Sequence, residues 1–316
     1  MKKLRIFFAG TRKFAESHLK ALINSNHKII GIFTKNEIFF KKKNYLFKNQ
    51  INELAIKNNI PIFRPKSLLL KSTQDIIKFF KPDIIVVVSY GLIFPKNILN
   101  LPPLGCINVH ASLLPKWRGA APIQRSLLYG DKKTGITIIQ MNSELDSGNI
   151  INQIECNIKY NDTSYTLLKK LKKLGSNFLI KTLNKIYNGN YSSVPQDIKN
   201  ISYANKINKK EAKINWNLSA KIIDRYIRSF NPWPVSYFIS NEKEIIKIFK
   251  LKIIKKKHKD IPGKILYVDK KSIQISTGSG IISPIILQPE NKKIMFCRDF
   301  LNSRKKYFFP GIILKN

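Results

Sequence analysis

An asparagine and a histidine stand two residues apart in the stretch of the sequence that is richest in chemically useful side chains, Gly105 to Pro122. The apolar run from Cys106 to His110 predicts a short strand, and residues two apart on a strand point to the same face. Asn108 and His110 therefore leave one face together. An amide can hold the oxygen of a carbonyl under attack, and an imidazole can move a proton. In isolation, such a pair is more often a turn-capping asparagine and a buried core histidine.

A carboxylate follows a later predicted strand. Asp146 lies in Leu145-Asp146-Ser147-Gly148, just past the apolar run from Ile136 to Met141. In a parallel sheet, this position brings the carboxylate to the same edge as His110, where it would stabilise an imidazolium and order a water. Taken alone, an aspartate before Ser-Gly is also an ordinary turn residue.

The elements that must position these residues follow from apolar runs separated by helix-like segments. The runs are Leu4 to Ala9, Ile29 to Phe33, Ile84 to Val88, Cys106 to His110 and Ile136 to Met141. Short β-branched runs that alternate with helices predict an α/β fold with a Rossmann-like, mostly parallel sheet covered on both faces. Ligands of such sheets bind at the carboxyl ends of the strands.

The second half of the sequence has a different texture. A helix is predicted from about Asp162 to Asn188, residues 190–206 lack a clear period and indicate a linker, and a further helix is predicted over 218–230. Short strands separated by turn residues follow, and they predict a small antiparallel β-barrel of the oligonucleotide-binding type. We therefore expect a catalytic domain over 1–189 and a C-terminal barrel over 207–316, since 316 residues exceed one ordinary core.

Charge and cysteine content narrow the class of protein. The chain has 57 Lys and Arg against 19 Asp and Glu, a formal charge of +38. Part of this excess reflects a general richness in lysine, but so positive a surface still favours nucleic acid as a partner. The three cysteines are far apart, which excludes a disulfide framework and a paired zinc motif and predicts a reduced, cytoplasmic protein.

Several of these residues together resemble the formyltransferases that use 10-formyltetrahydrofolate. The residues that carry the resemblance are Asn108 and His110, the loop Ser112 to Pro115, Arg118-Gly119 and Asp146. Along nearly its whole length the chain resembles the methionyl-tRNA formyltransferases, through Phe8 to Thr11, Val88 to Ile93, Trp117 to Arg125 and Phe230 to Pro234. The resemblance implies that Asn108, His110 and Asp146 form the catalytic trio and that 10-formyltetrahydrofolate donates the formyl group. The C-terminal barrel would bind RNA.

The same resemblance implies two sets of binding residues. A folate pocket would be lined by Tyr90, Gly91, Leu92, Ser112, Leu113, Leu114, Pro115, Ile139, Gln140 and Met141. The tRNA would be contacted by Lys41, Lys42, Lys43 and Arg12, although the segment Thr34 to Gln50 lacks the glycine and proline usual in the family. We expect a monomer whose partner is methionyl initiator tRNA. No metal is expected, because nucleophile and leaving group are both nitrogen and no ligand cluster is visible.

Two other functions fit parts of the sequence. One is a formyltransferase that acts on a sugar amine or another small amine, since its first domain would look alike; the C-terminal barrel and Asn231-Pro232-Trp233-Pro234 argue against it. The other is a catalytically silent RNA-binding protein that retains an enzyme fold. The intact Asn108, His110 and Asp146 argue against that second alternative.

Overall fold

The structure is a computed structural model that describes residues 3–35, 38–40, 45–47, 50–304 and 307–315. Contacts between Cα atoms divide the chain into two compact units. The first contains Met1–Pro122, Lys133–Asn157 and Leu168–Asn205, and the second contains Ile123–Lys132, Ile158–Leu167 and Lys206–Asn316. The chain therefore passes between the units more than once before Lys206.

A seven-stranded sheet forms the centre of the first unit. The strands of this unit are β1 (Arg5–Gly10), β2 (Lys28–Phe33), β3 (Ile38–Phe40), β4 (Tyr45–Phe47), β5 (Ile62–Phe63), β6 (Ile84–Val88), β7 (Cys106–His110), β8 (Arg118–Gly119), β9 (Lys133–Gln140), β10 (Ile150–Asn157) and β11 (Tyr203–Ala204). The main sheet has the order β10-β9-β7-β6-β1-β2-β5. Strands β7, β6, β1, β2 and β5 are parallel neighbours, which confirms the predicted Rossmann-like, mostly parallel α/β sheet.

Strand β9 departs from the parallel arrangement. It runs antiparallel to β7, with Gln140 opposite Ile107 and Thr137 opposite His110, and β10 in turn runs antiparallel to β9. The expectation that the run from Ile136 to Met141 ends at the same edge as His110 is therefore wrong. A run of apolar residues indicates that a strand is buried, but it does not indicate the direction in which the strand runs.

The helices of both units are amphipathic or buried. They are α1 (Arg12–Ile23), α2 (Gln50–Lys57), α3 (Lys71–Phe80), α4 (Lys96–Leu99), α5 (Pro122–Tyr129), α6 (Ser164–Tyr187), α7 (Ala220–Ser229) and α8 (Cys297–Arg304). In α6, Leu167, Leu171, Leu179 and Leu183 recur at helical spacing and are fully buried. Among the described residues, no helix combines the length and the apolar character that crossing a membrane requires.

The second unit contains an antiparallel, curled β domain, as predicted for the C-terminal part. Its strands are β12 (Tyr237–Ile239), β13 (Ile245–Ile254), β14 (Ile265–Val268), β15 (Ile273–Ser276), β16 (Ile281–Pro289) and β17 (Met295–Phe296). They follow the order β12-β13-β16-β15-β14, and β17 pairs with β16. Inward-facing isoleucines such as Ile248 pack with Trp216, Ile223 and Phe300 into one apolar core. Ser219 begins α7 by accepting a hydrogen bond from the Ile222 N–H.

The segment predicted as a linker, 190–206, packs against the first unit as far as Asn205. Val194 forms an antiparallel bridge with Ile150, and β11 pairs with β8 in parallel register. A short 3-10 helix, Ile198–Asn200, lies between these two contacts. The segment lacks a period because it adds single bridges and a two-residue strand rather than a long element. It is an ordered part of the first unit.

Candidate active site

Strand β7 presents two side chains to one face of the sheet. Asn108 is half-buried, and His110 is buried with 6% of its surface exposed. Val87 of β6 lies opposite Asn108, and Thr137 of β9 lies opposite His110. Because β7 is hydrogen-bonded on both sides, its backbone has little freedom, and the sheet fixes the separation of the two side chains.

Asp146 reaches both of these side chains from the loop between β9 and β10. Its Oδ1 accepts a hydrogen bond from Asn108 Nδ2 at 3.0 Å, and its Oδ2 accepts one from the Gly119 N–H at 2.8 Å. His110 Nδ1 lies 3.5 Å from the same Oδ2. The structure thus brings together the three residues expected to form the trio, while their catalytic role stays a prediction.

The histidine ring is held between two oxygen atoms. On the side away from Asp146, His110 Nε2 lies 2.8 Å from the carbonyl oxygen of Trp117. A carbonyl oxygen can only accept, so in this arrangement Nε2 carries a proton. Nδ1 then faces the carboxylate of Asp146. This geometry suits a side chain that takes up and releases a proton while its orientation stays fixed.

A glutamine that the sequence analysis did not select supports Asp146. Gln196 Nε2 donates to the carbonyl oxygens of Asp146 and Gly148, each at 2.8 Å. Gln196 Oε1 in turn accepts from Nε and Nη2 of Arg118 at 3.0 and 2.8 Å. Both side chains are 8% exposed. No local pattern marks Gln196, because its partners lie 48 to 78 residues away along the chain.

The loop expected to line a folate pocket is held against the sheet by hydrogen bonds. It consists of Ser112, Leu113, Leu114 and Pro115. Thr137 Oγ1 donates to the Ser112 carbonyl at 2.7 Å and accepts from the Leu114 N–H at 3.0 Å. Gln153 Nε2 donates to the Leu114 carbonyl at 3.0 Å. Leu114 is buried, whereas Leu113 and Pro115 are half-exposed and available to a ligand.

The segment after β6 divides between core and surface. Tyr90 is 2% exposed, and its ring stacks 6.5 Å from that of Phe33. Burial raises the pKa of the Tyr90 hydroxyl, which has no hydrogen-bond partner within the described structure. Gly91 is exposed with a φ of 70°, and Leu92 packs against the same apolar cluster as Tyr90. Gly91 is therefore the part of this segment that is open to a ligand.

The third segment expected in the folate pocket lies beside the amino-terminal half of β7. Ile139 is buried opposite Asn108, the Gln140 side chain donates to the Cys106 carbonyl at 3.3 Å, and the Met141 N–H donates to the same oxygen at 2.8 Å. Because β9 is antiparallel to β7, Thr137 is the β9 residue that hydrogen-bonds to the loop beginning at Ser112, whereas Gln140 and Met141 lie towards the other end of β7. Met141 still packs against the apolar cluster that contains Tyr90.

The residues expected to contact tRNA are placed only in part. Arg12 is the exposed first residue of α1, with a φ of 67°. Lys41, Lys42 and Lys43 lie outside the described residues. In the described part of the chain, no three His, Cys, Asp or Glu side chains gather in a group that could hold a metal ion.

The chain matches sequence models of a known protein family. A sequence model of the family described as formyl transferase matches residues 2–183, and one described as formyl transferase, C-terminal domain, matches residues 206–305. The first match alone covers more than half of the 316 residues. The chain belongs to the formyl transferase family. Asn108, His110 and Asp146 all fall in the first matched region, and the curled β domain falls in the second.

Solved structures with the same fold include other formyl transferases. WlaRD, a sugar 3N-formyl transferase solved in the presence of dTDP and 5-N-formyl-THF, is 22% identical with a TM-score of 0.66, covering 93% of this chain and 100% of its own. An N-formyltransferase from Helicobacter canadensis, in complex with folinic acid and dTDP-3-aminofucose, is 21% identical with a TM-score of 0.63 over 89% and 99%. HypX from Aquifex aeolicus, solved with tetrahydrofolic acid, is 13% identical with a TM-score of 0.63 over 100% of this chain and 51% of its own.

Proposed function

We propose that this formyl transferase moves the formyl group of 10-formyltetrahydrofolate to the α-amino group of methionyl initiator tRNA, which supplies N-formylmethionyl-tRNA for translation initiation. The observation that carries the chemistry is the contact of Asp146 with both Asn108 and His110 on one face of β7. The acceptor is inferred from the charge of the chain and from its C-terminal domain.

The first unit offers a surface that fits a folate donor. A Cβ added at Gly91 would have Lys35 Nζ as its nearest heavy atom, at 3.6 Å, so a flat ring can approach the backbone there. Leu113 and Pro115 add half-exposed apolar surface on a loop that Thr137 and Gln153 hold in place. Relatives of the same fold were solved with folinic acid or tetrahydrofolic acid, which supports this class of donor.

Three side chains would carry the transfer. The amine nitrogen forms a bond to the formyl carbon, the bond from that carbon to the folate nitrogen breaks, and the proton lost by the amine ends on that nitrogen. Asn108 and His110 would stabilise the negative oxygen that develops on the formyl carbon. His110, oriented by Asp146 and with an ordered water, would relay the proton. A strong base is unnecessary, because an α-amino group titrates near ~8.

The second unit has a surface suited to nucleic acid. Lys256, Lys257 and Lys264 line a cleft of about 740 Å³ together with Tyr267, whose side chain is 47% exposed. Lys264 is paired with Asp260 at 2.8 Å. Basic side chains beside an accessible aromatic ring can contact phosphates and stack on a base. In this proposal, residues 1–189 carry catalysis and 207–316 bind the tRNA, with Arg12 and Lys41 to Lys43 as additional contacts.

A second acceptor is favoured by the structural relatives. WlaRD and the Helicobacter canadensis enzyme were solved with dTDP or a dTDP-linked amino sugar, so the amine of a sugar nucleotide is the alternative. At 21% to 22% identity the likeness shows a shared fold, and it does not show that this chain uses the same acceptors. The net charge of +38 exceeds what one diphosphate requires and favours the RNA acceptor.

The deciding experiment compares acceptors and variants in one assay. Purified wild type, Asp146→Asn and Asp75→Asn receive labelled 10-formyltetrahydrofolate with either methionyl initiator tRNA or a dTDP-amino sugar. We expect wild type and Asp75→Asn, an exposed change on α3, to formylate the tRNA. Asp146→Asn should be slower by about 10²-fold or more, because both its neighbours lose their charged partner.

Each outcome separates the proposals. Transfer to the sugar but not to the tRNA would replace the RNA acceptor with a sugar nucleotide. Equal rates for Asp146→Asn and wild type would remove Asp146 from the mechanism. Absence of transfer to either acceptor by folded wild type, with tRNA still bound, would favour the silent RNA-binding alternative.

A further inference from the structure

We propose that Gln196 is a positioning residue for formyl transfer, and that Arg118 sets its orientation. This inference rests on the proposed function, because it assumes that Asp146 acts in the reaction. It assigns a task to residues 190–205, which would otherwise serve only as a connection.

Both polar atoms of the Gln196 amide make two hydrogen bonds each. Its nitrogen donates to the carbonyl oxygens of Asp146 and Gly148, and its oxygen accepts both hydrogen bonds from Arg118. An amide flipped by 180° would turn its NH₂ towards the guanidinium and its oxygen towards two carbonyls, which would be repulsive. The buried guanidinium of Arg118 therefore fixes which way the amide points.

Asp146 needs such support because of its backbone. Its φ of 48° lies in the left-handed region, which residues with a Cβ adopt only at a cost. Its carboxylate contacts Asn108 and the Gly119 N–H, but these contacts alone do not fix the peptide that follows it. Gln196 holds that peptide and the carbonyl of Gly148 together, on either side of Ser147. The carboxylate then keeps its place beside His110.

The segment that carries Gln196 is anchored on both sides of it. Upstream, Val194 and Ile150 exchange backbone hydrogen bonds of 2.9 and 2.8 Å. Downstream, the Arg118 N–H donates to the Ser202 carbonyl at 2.9 Å, and β11 pairs with β8. Gln196 is thus placed by the sheet edge at Ile150 and by the chain that bears Arg118. Both anchors lie within the first unit.

The test separates positioning from simple structural support. Gln196→Glu keeps an acceptor for Arg118 and adds an ion pair, but the ionised side chain cannot donate to the carbonyls of Asp146 and Gly148. We expect its kcat to fall about 10- to 100-fold, while the KM for the formyl donor stays within about threefold, because misplacement of a reacting group affects the transition state most. Its melting temperature should fall, because a carboxylate oxygen replaces the NH₂ beside two carbonyl oxygens, so kcat is compared at a temperature at which both proteins are fully folded. Gln196→Leu removes both interactions and should lose stability as well as kcat.

A matched control is Gln288→Glu. Gln288 Nε2 donates to the Lys292 carbonyl at 2.9 Å in the second unit, so this variant makes the same chemical change outside the candidate site. It should keep the wild-type kcat. Hydrolysis of 10-formyltetrahydrofolate without an acceptor gives a second readout that does not depend on tRNA.

The results bear separately on the two proposals. Failure of wild type to formylate methionyl-tRNA would reject the RNA acceptor, while a hydrolysis rate lowered in Gln196→Glu would still support the positioning role. A kcat of Gln196→Glu within about threefold of wild type would overturn that role. So would a loss of activity that merely follows a loss of folded protein.

Discussion

Asn108 has two N–H groups on its amide, and the structure commits one of them to Asp146. In the proposed mechanism, the other N–H donates to the oxygen that gains charge during the reaction. Removing the amide therefore has two effects, since the reacting oxygen loses a donor and Asp146 Oδ1 loses its partner. A double role of this kind would distinguish Asn108 from a turn-capping asparagine.

The first prediction concerns this amide. Asn108→Ala should lower kcat by roughly 10²- to 10³-fold, the usual effect of deleting one donor to a developing oxyanion. Steady-state formyl transfer measures it, with Asn58→Ala as the control, because Asn58 Nδ2 caps only the end of α2 through the Leu54 carbonyl. Turnover of Asn108→Ala within about threefold of wild type would remove Asn108 from the mechanism.

A second residue-scale prediction concerns His18 in α1, which is fully buried. Burial lowers the pKa of His18 from 6.5 to about 4, and the positive charge of Lys172 adds to this shift, whereas the hydrogen bond between Nδ1 and the Phe14 carbonyl opposes it. Between these values the unfolded chain binds a proton that the folded chain does not, so stability rises with pH and falls on acidification from 6.5 towards 4. The loss approaches roughly 3 kcal/mol.

Thermal or urea unfolding at several pH values tests this. His18→Leu should show a shallower loss of stability between pH 6.5 and about 4 than wild type does. Leu22→Ala, which removes a buried side chain without a titratable group from the same helix, should lower stability and keep the wild-type slope. Equal slopes for wild type and His18→Leu would show that other groups dominate the acid sensitivity.

At the scale of elements, the contact between β8 and β11 closes the candidate site. Gly119 of β8 donates to Asp146 and has a φ of 117°, which L side chains rarely adopt. A Cβ on Gly119 would lie 3.0 Å from the Ala204 carbonyl oxygen of β11. The close approach of the two strands therefore requires glycine at this position.

The third prediction follows from that approach. Gly119→Ala should destabilise the fold by roughly 1 to 3 kcal/mol and lower kcat at least about tenfold, because the N–H donor to Asp146 must move. Gly189→Ala is the control, since Gly189 also has a positive φ, 71°, but a Cβ added there would meet no heavy atom of the described residues within 4 Å. It should cost some stability and leave kcat unchanged. Equal kcat in the two variants would show that the β8 to β11 contact is not needed for the reaction.

At the scale of the whole molecule, the dominant property is the charge of +38. Contacts between lysines and phosphates release counterions, so the affinity for RNA should fall steeply with salt. A general lysine excess and a local binding site both predict that affinity falls as salt rises. They differ in one respect: a local site predicts that replacing two lysines within it weakens binding more than replacing two lysines elsewhere. The cleft at Lys256 and Lys257 offers that comparison.

The fourth prediction uses two exposed lysine pairs of the second unit. Lys256→Gln with Lys257→Gln should weaken methionyl-tRNA binding and reduce the slope of log Kd against log salt by about 2, roughly one per phosphate contact. Lys292→Gln with Lys293→Gln changes the charge equally in the turn between β16 and β17 and should have a smaller effect. Equal losses in the two double variants would indicate diffuse attraction without a preferred cleft.

The sequence by itself determined the main architecture, because that architecture depends on local periodicity. The run Ile84–Val88 is buried along its whole length, and helix α6 buries leucines at helical spacing, as their patterns predicted. It also placed Asn108 and His110 on one face, since residues two apart on a strand must share one. The family resemblance rested on these same short-range motifs, and the matches over residues 2–183 and 206–305 confirm the formyl transferase family, while the methionyl-tRNA acceptor stays a proposal.

Only the tertiary structure decided how the loops close around those residues. The direction of β9, the use of Thr137 to hold the Ser112 loop and the approach of Gln196 to Asp146 leave no periodic signal, because each joins single groups that are far apart in the chain. Such contacts form because a buried oxygen or N–H needs a hydrogen-bond partner. Which groups become buried is determined only when the sheet assembles. The residues of the candidate trio can therefore be identified in the local sequence, whereas their mutual orientation is a property of the folded chain.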